Sequence, residues 1–202
     1  MKAFALAVSV LLFAAPAAAL AQAPAGPIVV RGTVTSVSEA GLAINTGKGP
    51  VQVGLAPTWM VSVMKPVAID AIQSGSFIGT AEMPNKDGSS GTSMEVHVFP
   101  PGVKMGEGHY AWDLKAGSMM TNGTVGTVVA GKAGSRELDV SFPSGKRHIT
   151  VPAKVPVVQI TGGARDLVTV GTPVFLLAQR APSGSLVAGA VSIGENGAKP
   201  PM

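Results

Sequence analysis

From residue 28 onward the chain is a succession of short apolar runs punctuated by Gly and Pro. IVVRGTVTSV (28–37), GLAINT (41–46) and VQVGL (51–55) are β-branched and partly alternating, the pattern of strands with one or both faces buried. WMVSV (59–63) continues it. Ala68–Gly75 reads as a turn or a single helical turn with Ile69 and Ile72 on one side. Ser76–Glu82 is the next expected strand, Pro84–Ser90 a loop with an Asp87-Gly88 hairpin signal, and Ser93–Phe99 a closing strand. No later segment sustains a 3.6-residue period, and Gly and Pro are spread throughout, so helix is expected to be scarce.

The same order of features returns after Asn122. NGTVGTV answers RGTVTSV, RELDVSF answers GLAINT, and Pro143-Ser144-Gly145-Lys146 answers the Gly47-Lys48 turn. RHITV and VPVVQI follow as counterparts of PVQVGL and WMVSV. Asp166–Gly171 matches the Ile69–Gly75 turn, TPVFLLAQ matches SFIGTAEM, and AGAVSI matches SMEVHV. Five strands with a short helical turn before the fourth suit a small, partly open barrel of OB-like kind. The expectation is therefore an all-β protein of two tandem five-stranded OB-like barrels related by internal duplication, residues 28–99 and 122–197, joined by a connector at 100–121. A single β-sandwich using all ten strands is the alternative.

The N-terminus sets the expected compartment. Lys2, the apolar run Ala3–Phe13 and the small residues of Ala14–Ala23 form a secretory signal peptide, with Ala19-Leu20-Ala21 as the cleavage pattern and residues 1–21 removed. No later run is long enough to span a membrane without Gly, Pro or a charge. An exported location, periplasmic or secreted, follows. The absence of cysteine removes disulfides, thiolate catalysis and thiolate zinc sites from consideration. Basic side chains outnumber acidic ones 15 to 11, and cleavage would remove Lys2 from the excess. No basic run exceeds Lys146-Arg147, so a nucleic-acid track is not expected.

The unusual chemistry lies in FPPGVKMGEGHYAWDLKAGSMMT (Phe99–Thr121). It holds the only Tyr, Tyr110, one of two Trp, Trp112, and one of three His, His109. Tyr110 and Trp112 are expected to pin this connector between the repeats and are the candidate ligand-groove residues. EVHVFP, GEGHYAWDL, MTNGTV and the ending KPPM resemble short exported proteins of Gram-negative bacteria often labelled as a metal transporter permease. The repeat openings V-x-G-T-V resemble exported bacterial small-barrel domains. That resemblance implies an exported protein and carries no site residues with it. A permease needs membrane-spanning segments, and none is expected after cleavage.

Glu95-Val96-His97 and Glu107-Gly108-His109 supply carboxylate and imidazole donors, and nearby Met105 a thioether. Glu95, His97, Met105, Glu107 and His109 are thus candidate ligands for a transition metal such as Cu, Zn or Ni. An ordinary polar edge-strand surface accounts for the same residues. Catalytic signatures are lacking: no G-x-S-x-G elbow is present, His148 has no carboxylate near it in sequence, and Glu137 and Asp139 read as a solvated same-strand pair. The leading expectation is a non-enzymatic module binding an unknown protein or small ligand, with no cofactor. A metal-binding protein and a hydrolase built from convergent polar residues are the alternatives.

Overall fold

The computed structural model describes residues 26–202, so the expected signal peptide, residues 1–21, lies outside the described residues. Twelve strands follow in order: β1 Ile28–Ser38, β2 Gly41–Thr46, β3 Gly49–Pro66, β4 Phe77–Pro84, β5 Ser90–Val98, β6 Gly108–Ala111, β7 Met119–Ala130, β8 Arg136–Phe142, β9 Gly145–Val151, β10 Val157–Gly163, β11 Pro173–Arg180 and β12 Leu186–Gly194. Helix among the described residues is limited to three-residue turns, including Ile69–Ala71 and Arg165–Leu167 at the two expected places. No helix among them is long and apolar enough to cross a membrane.

The strands close into two five-membered rings. One runs β1-β2-β3-β12-β11 and back to β1. The other runs β7-β8-β9-β5-β4 and back to β7. The barrels are therefore not the contiguous segments 28–99 and 122–197. The meander β1-β2-β3 is closed by the late hairpin β11-β12, and the meander β7-β8-β9 by the early hairpin β4-β5. Local alternation specifies which face of a strand is apolar; it does not specify which edge a hairpin joins, because either hairpin presents the same kind of edge. Corresponding pairings keep the same direction: β1 with β11 and β7 with β4 are antiparallel, while β3 with β12 and β9 with β5 are parallel.

Each ring encloses its own core. The first barrel packs Val34, Leu42, Ile44 and Val53 from the early strands against Val174, Leu176, Val191 and Ile193 from the late ones, with Val168 as a plug. The second packs Ile78, Val96 and Val98 against Leu138, Val140, Ile149 and Val151, with Ile72 as the plug. Full burial of each such side chain contributes about 1.5–3 kcal/mol. A third, smaller cluster of Met64, Val158, Phe175 and Met202 gathers the far end of β3, β10, β11 and the C-terminus, with Val29 and Trp112 packed on it.

Strand β3 merges two runs that the sequence separates at Ala56-Pro57-Thr58. Its partners stop at Leu55, opposite Ala188, and resume at Met60, opposite Ala190. Pro57 thus falls where β3 offers no ladder hydrogen bond, the position in which a strand tolerates proline. The far end of β3, Val61–Pro66, pairs antiparallel with β10, which in turn lies parallel to β5. These crossing segments couple the barrels through backbone hydrogen bonds. Ile149→Ala, deep in the second barrel, should cost about 2–5 kcal/mol. Denaturant unfolding followed by circular dichroism and by fluorescence of Trp59, which packs on the first barrel's core, should still show one coincident transition. Separated transitions would mean that the barrels unfold independently.

Candidate functional site

The connector leaves β5 through Pro100-Pro101, which have no backbone donors and end the ladder. Residues 101–107 are exposed. Gly102 and Gly106 turn the path with φ of 79° and 58°, where a side chain would be strained. The segment then forms β6, an unexpected strand paired with the start of β7 from Gly108↔Asn122 to Ala111↔Met119. A compact loop follows, closed by Trp112 N–H donating to Ser118 O at 2.9 Å and by Ser118 Oγ donating to Lys115 O at 2.7 Å. The connector is therefore a strap with structure of its own.

The strap reaches from the second barrel to the first. Trp112 is half-buried, its ring centroid 6.3 Å from that of Phe175 on β11. The Arg31 guanidinium of β1 lies 5.7 Å from the Trp112 centroid and 5.4 Å from that of Phe175. Arg31 donates to both Asp113 carboxylate oxygens, at 2.9 and 2.8 Å, and through Nε to Met202 O at 2.7 Å. Hydrogen bonding from Arg31 holds the Asp113 carboxyl below its ordinary pKa. Fork-on-carboxylate pairing of this kind fixes orientation as well as charge.

Register sorts the polar residues around the strap onto two faces of the sheet. On the face shared with the second barrel's interior, Thr121 pairs with Thr80 and with His109. His109 Nδ1 lies 2.9 Å from Thr121 Oγ1 and 3.9 Å from Glu82 Oε1, and its ring stacks on Phe142 at 6.2 Å. Buried Arg147 donates through Nε to Glu82 Oε1, and through its other nitrogens to Gly88 O and Ser90 O, both at 2.8 Å. Burial raises the Glu82 pKa against the lowering influence of Arg147. Burial, with the Arg147 charge, lowers that of His109. Thr121 and Glu82 approach the same imidazole nitrogen, whereas a nucleophile relay needs them on opposite nitrogens.

On the other face, Glu95 and His97 are both buried. Glu95 Oε1 accepts from Ala81 N–H at 2.7 Å, and Oε2 lies 3.1 Å from His97 Nδ1. A side chain at Gly79 would collide with His97 Nε2 and Asn122 Oδ1, so these two polar groups close over a glycine floor. Asn122 Nδ2 donates to Gly106 O at 2.9 Å and to Tyr110 Oη at 2.8 Å, anchoring the strap from below. Burial raises the Tyr110 pKa. The reading of Glu95 and His97 as an exposed edge-strand surface is corrected: β5 lies between β4 on one side and β9 and β10 on the other.

The five candidate metal ligands are dispersed. Glu95 and His97 meet, but His109 points to the opposite face of the sheet, and Met105 and Glu107 are exposed on the strap. Among the described residues no group of three His, Asp or Glu side chains is arranged to hold a metal ion. Comparison with known protein families, with curated proteins and with solved structures finds no match.

Two features escaped the sequence reading although their signals were present. Arg147 alternates with His148 and so shares the core face with Ile149 and Val151, while Glu82 shares a face with Thr80 and Ile78. On the outer surface, His148 finds its carboxylates across the strand pair: Nδ1 lies 3.0 Å from Asp139 and Nε2 lies 3.2 Å from Glu137.

Arg147→Ala should destabilise the protein by about 3–5 kcal/mol at neutral pH, because the Glu82 carboxylate is left buried and uncompensated. A group with a raised pKa takes up its proton readily in the folded state. The penalty should therefore shrink as the pH falls toward 4.5, the ordinary Glu value. Unfolding of both forms across that range checks this, and a pH-independent difference would contradict it. For His148, hydrogen bonding to Asp139 raises the folded pKa above 6.5. Its contribution is complete below 6.5 and is lost as pH rises through the folded value. Titration by NMR should show the raised midpoint, and Asp139→Asn should lower it.

Proposed function

We propose that this protein is an exported, non-catalytic binding module of two OB-like barrels, descended from duplication of one five-stranded unit, whose seat for a small ligand or partner lies along the strap. The carrying observation is where polar groups lack partners. Among the described residues, the buried side-chain atoms without a hydrogen bond are Glu82 Oε2, Trp112 Nε1 and Asn122 Oδ1. Trp112 follows β6 directly. Asn122 pairs with Gly108 on the face that carries Tyr110, whose ring lies 6.3 Å from that of Trp112, whereas Glu82 lies on the opposite face with Arg147 and is no part of this seat. Each buried orphan costs about 1–3 kcal/mol, and a ligand donating to Asn122 Oδ1 and accepting from Trp112 Nε1 would offset the two on the strap's side. Tyr110, 38% exposed, gives the same region an accessible aromatic face.

Duplication is supported by the recurring order of meander, short turn and hairpin in both halves, with matching strand directions. Export rests on the N-terminal pattern of residues 1–21. A nucleic-acid role is disfavoured because several arginines are engaged within the fold: Arg31 with Asp113, Arg136 with Asp70, Arg147 with Glu82, and Arg165 over Trp59.

The test uses the mature protein carrying Trp59→Phe, so that emission reports Trp112. Amino acids, dipeptides, and mono- and disaccharides would be screened for a shift in emission together with a rise in Tm. Binding is expected to weaken at least tenfold in Asn122→Ala. Equal affinity in that variant would place the seat elsewhere, and conversion of a bound compound to product would overturn the non-catalytic reading.

A further inference from the structure

Every pairing that closes a barrel joins the first half of the chain, Ile28–Val98, to the second, Met119–Gly194. These are β1 with β11, β3 with β12, β4 with β7 and β5 with β9. The crossing strand β10 adds two more such pairings, with β3 and β5. Within a half, the strands make only an open meander and a separate hairpin. Each core cluster likewise mixes the halves, Leu42 with Leu176 in one and Ile78 with Leu138 in the other. Neither half can bury its apolar faces alone.

One covalent link joins these interlocked halves, and its first part lies at the surface. Residues 101–107 are exposed, and their folded-back course depends on the positive φ at Gly102 and Gly106. The identity of the chain supplying each half is invisible to the strands. Two copies exchanging halves would keep every strand pair and both cores, and would differ from the monomer only in the link and in the entropy of association.

We propose that the partner this architecture fits is a second copy of the same chain, joined by reciprocal exchange of halves about a hinge at Pro100–Glu107. Exchange requires the barrels to open, so the dimer forms during folding and does not interconvert readily with folded monomer. Pro100-Pro101 favour an extended exit from β5, the conformation that the exchanged form would use.

The experiment is to unfold natural-abundance and 15N-labelled protein together, refold them at high concentration, and weigh the products by native mass spectrometry. Dimers of mixed label in a statistical ratio are expected after co-refolding, and none after mixing the two folded proteins. Mixed dimers formed without unfolding would indicate ordinary face-to-face association and overturn the exchange. A second variant removes Pro100–Gly117. In the monomer, Val98 and Met119 sit opposite Ile78 and Glu82, four residues apart along β4 and so at least about 13 Å. The shortened link has three Cα–Cα steps of about 3.8 Å each and cannot cover that distance. The variant should be fully dimeric with a β-sheet circular dichroism spectrum that loses no more than the four residues of β6. Wild type that refolds only as monomer, together with a deletion variant that is monomeric or unfolded, would overturn the proposal.

Discussion

Each small sheet of this protein buries its apolar face by closing edge to edge, and each half of the chain divides its strands between the two rings, so neither half closes a ring alone. The parallel contacts of β3 with β12 and of β9 with β5 are the joints at which the rings close. Both depend on strands distant in sequence. The rest follows from this constraint. Strand β3 has to be long because it begins in one barrel and ends against β10 beside the other. The plugs Ile72 and Val168 sit where the chain crosses between barrels. The strap leaves and re-enters the same barrel, since β5 and β7 both flank β4, yet on the way it reaches Arg31 and Phe175 of the other.

That passage also explains why the polar groups collect where they do. At the end of the second barrel, Glu82 comes from the early hairpin, Arg147 from the late meander and His109 from the strap, so three separate stretches of chain meet in one buried group. Glu95, His97 and Asn122 lie on the reverse of the same strands, beneath the strap's exit. The sheet between them keeps the two groups chemically separate: one is an ion pair at a barrel mouth, the other a hydrogen-bonded corner under a loop. Arg31 performs the corresponding task on the first barrel, where two aromatic rings and Asp113 surround its guanidinium.

Much of this was legible in local pattern. All twelve strands but β6 lie in runs marked by alternation or β-branching, and the 3-10 turns Ile69–Ala71 and Arg165–Leu167 stand where Ile69 and Asp166 suggested them. Trp112 was expected to pin the connector, and it packs, half-buried, against Phe175 of the first barrel. Glu95 and His97 were correctly placed on one face, but that face was taken for solvent because the neighbours of β5 come from residues 145–163. The partner of each hairpin was not legible at all. Two equivalent edges compete for each meander, and alternation along a strand carries no signal for the choice between them. Arg147 was hidden differently: alternation put it on the core face, and only knowledge of Glu82 opposite makes a buried guanidinium acceptable there.

The exchanged hairpins also impose an order in time. A ribosome releases Ile28 early, yet its ladder partner Ala178 appears about 150 residues later. Until then β1-β2-β3 is an open sheet with two unsatisfied edges, unable to settle into a native barrel by itself. The export proposed above would gain from such delay, since premature closure would block passage through a membrane channel. Its folding is correspondingly dominated by distant contacts, which makes it slow and leaves those edges exposed to neighbouring chains in the interval.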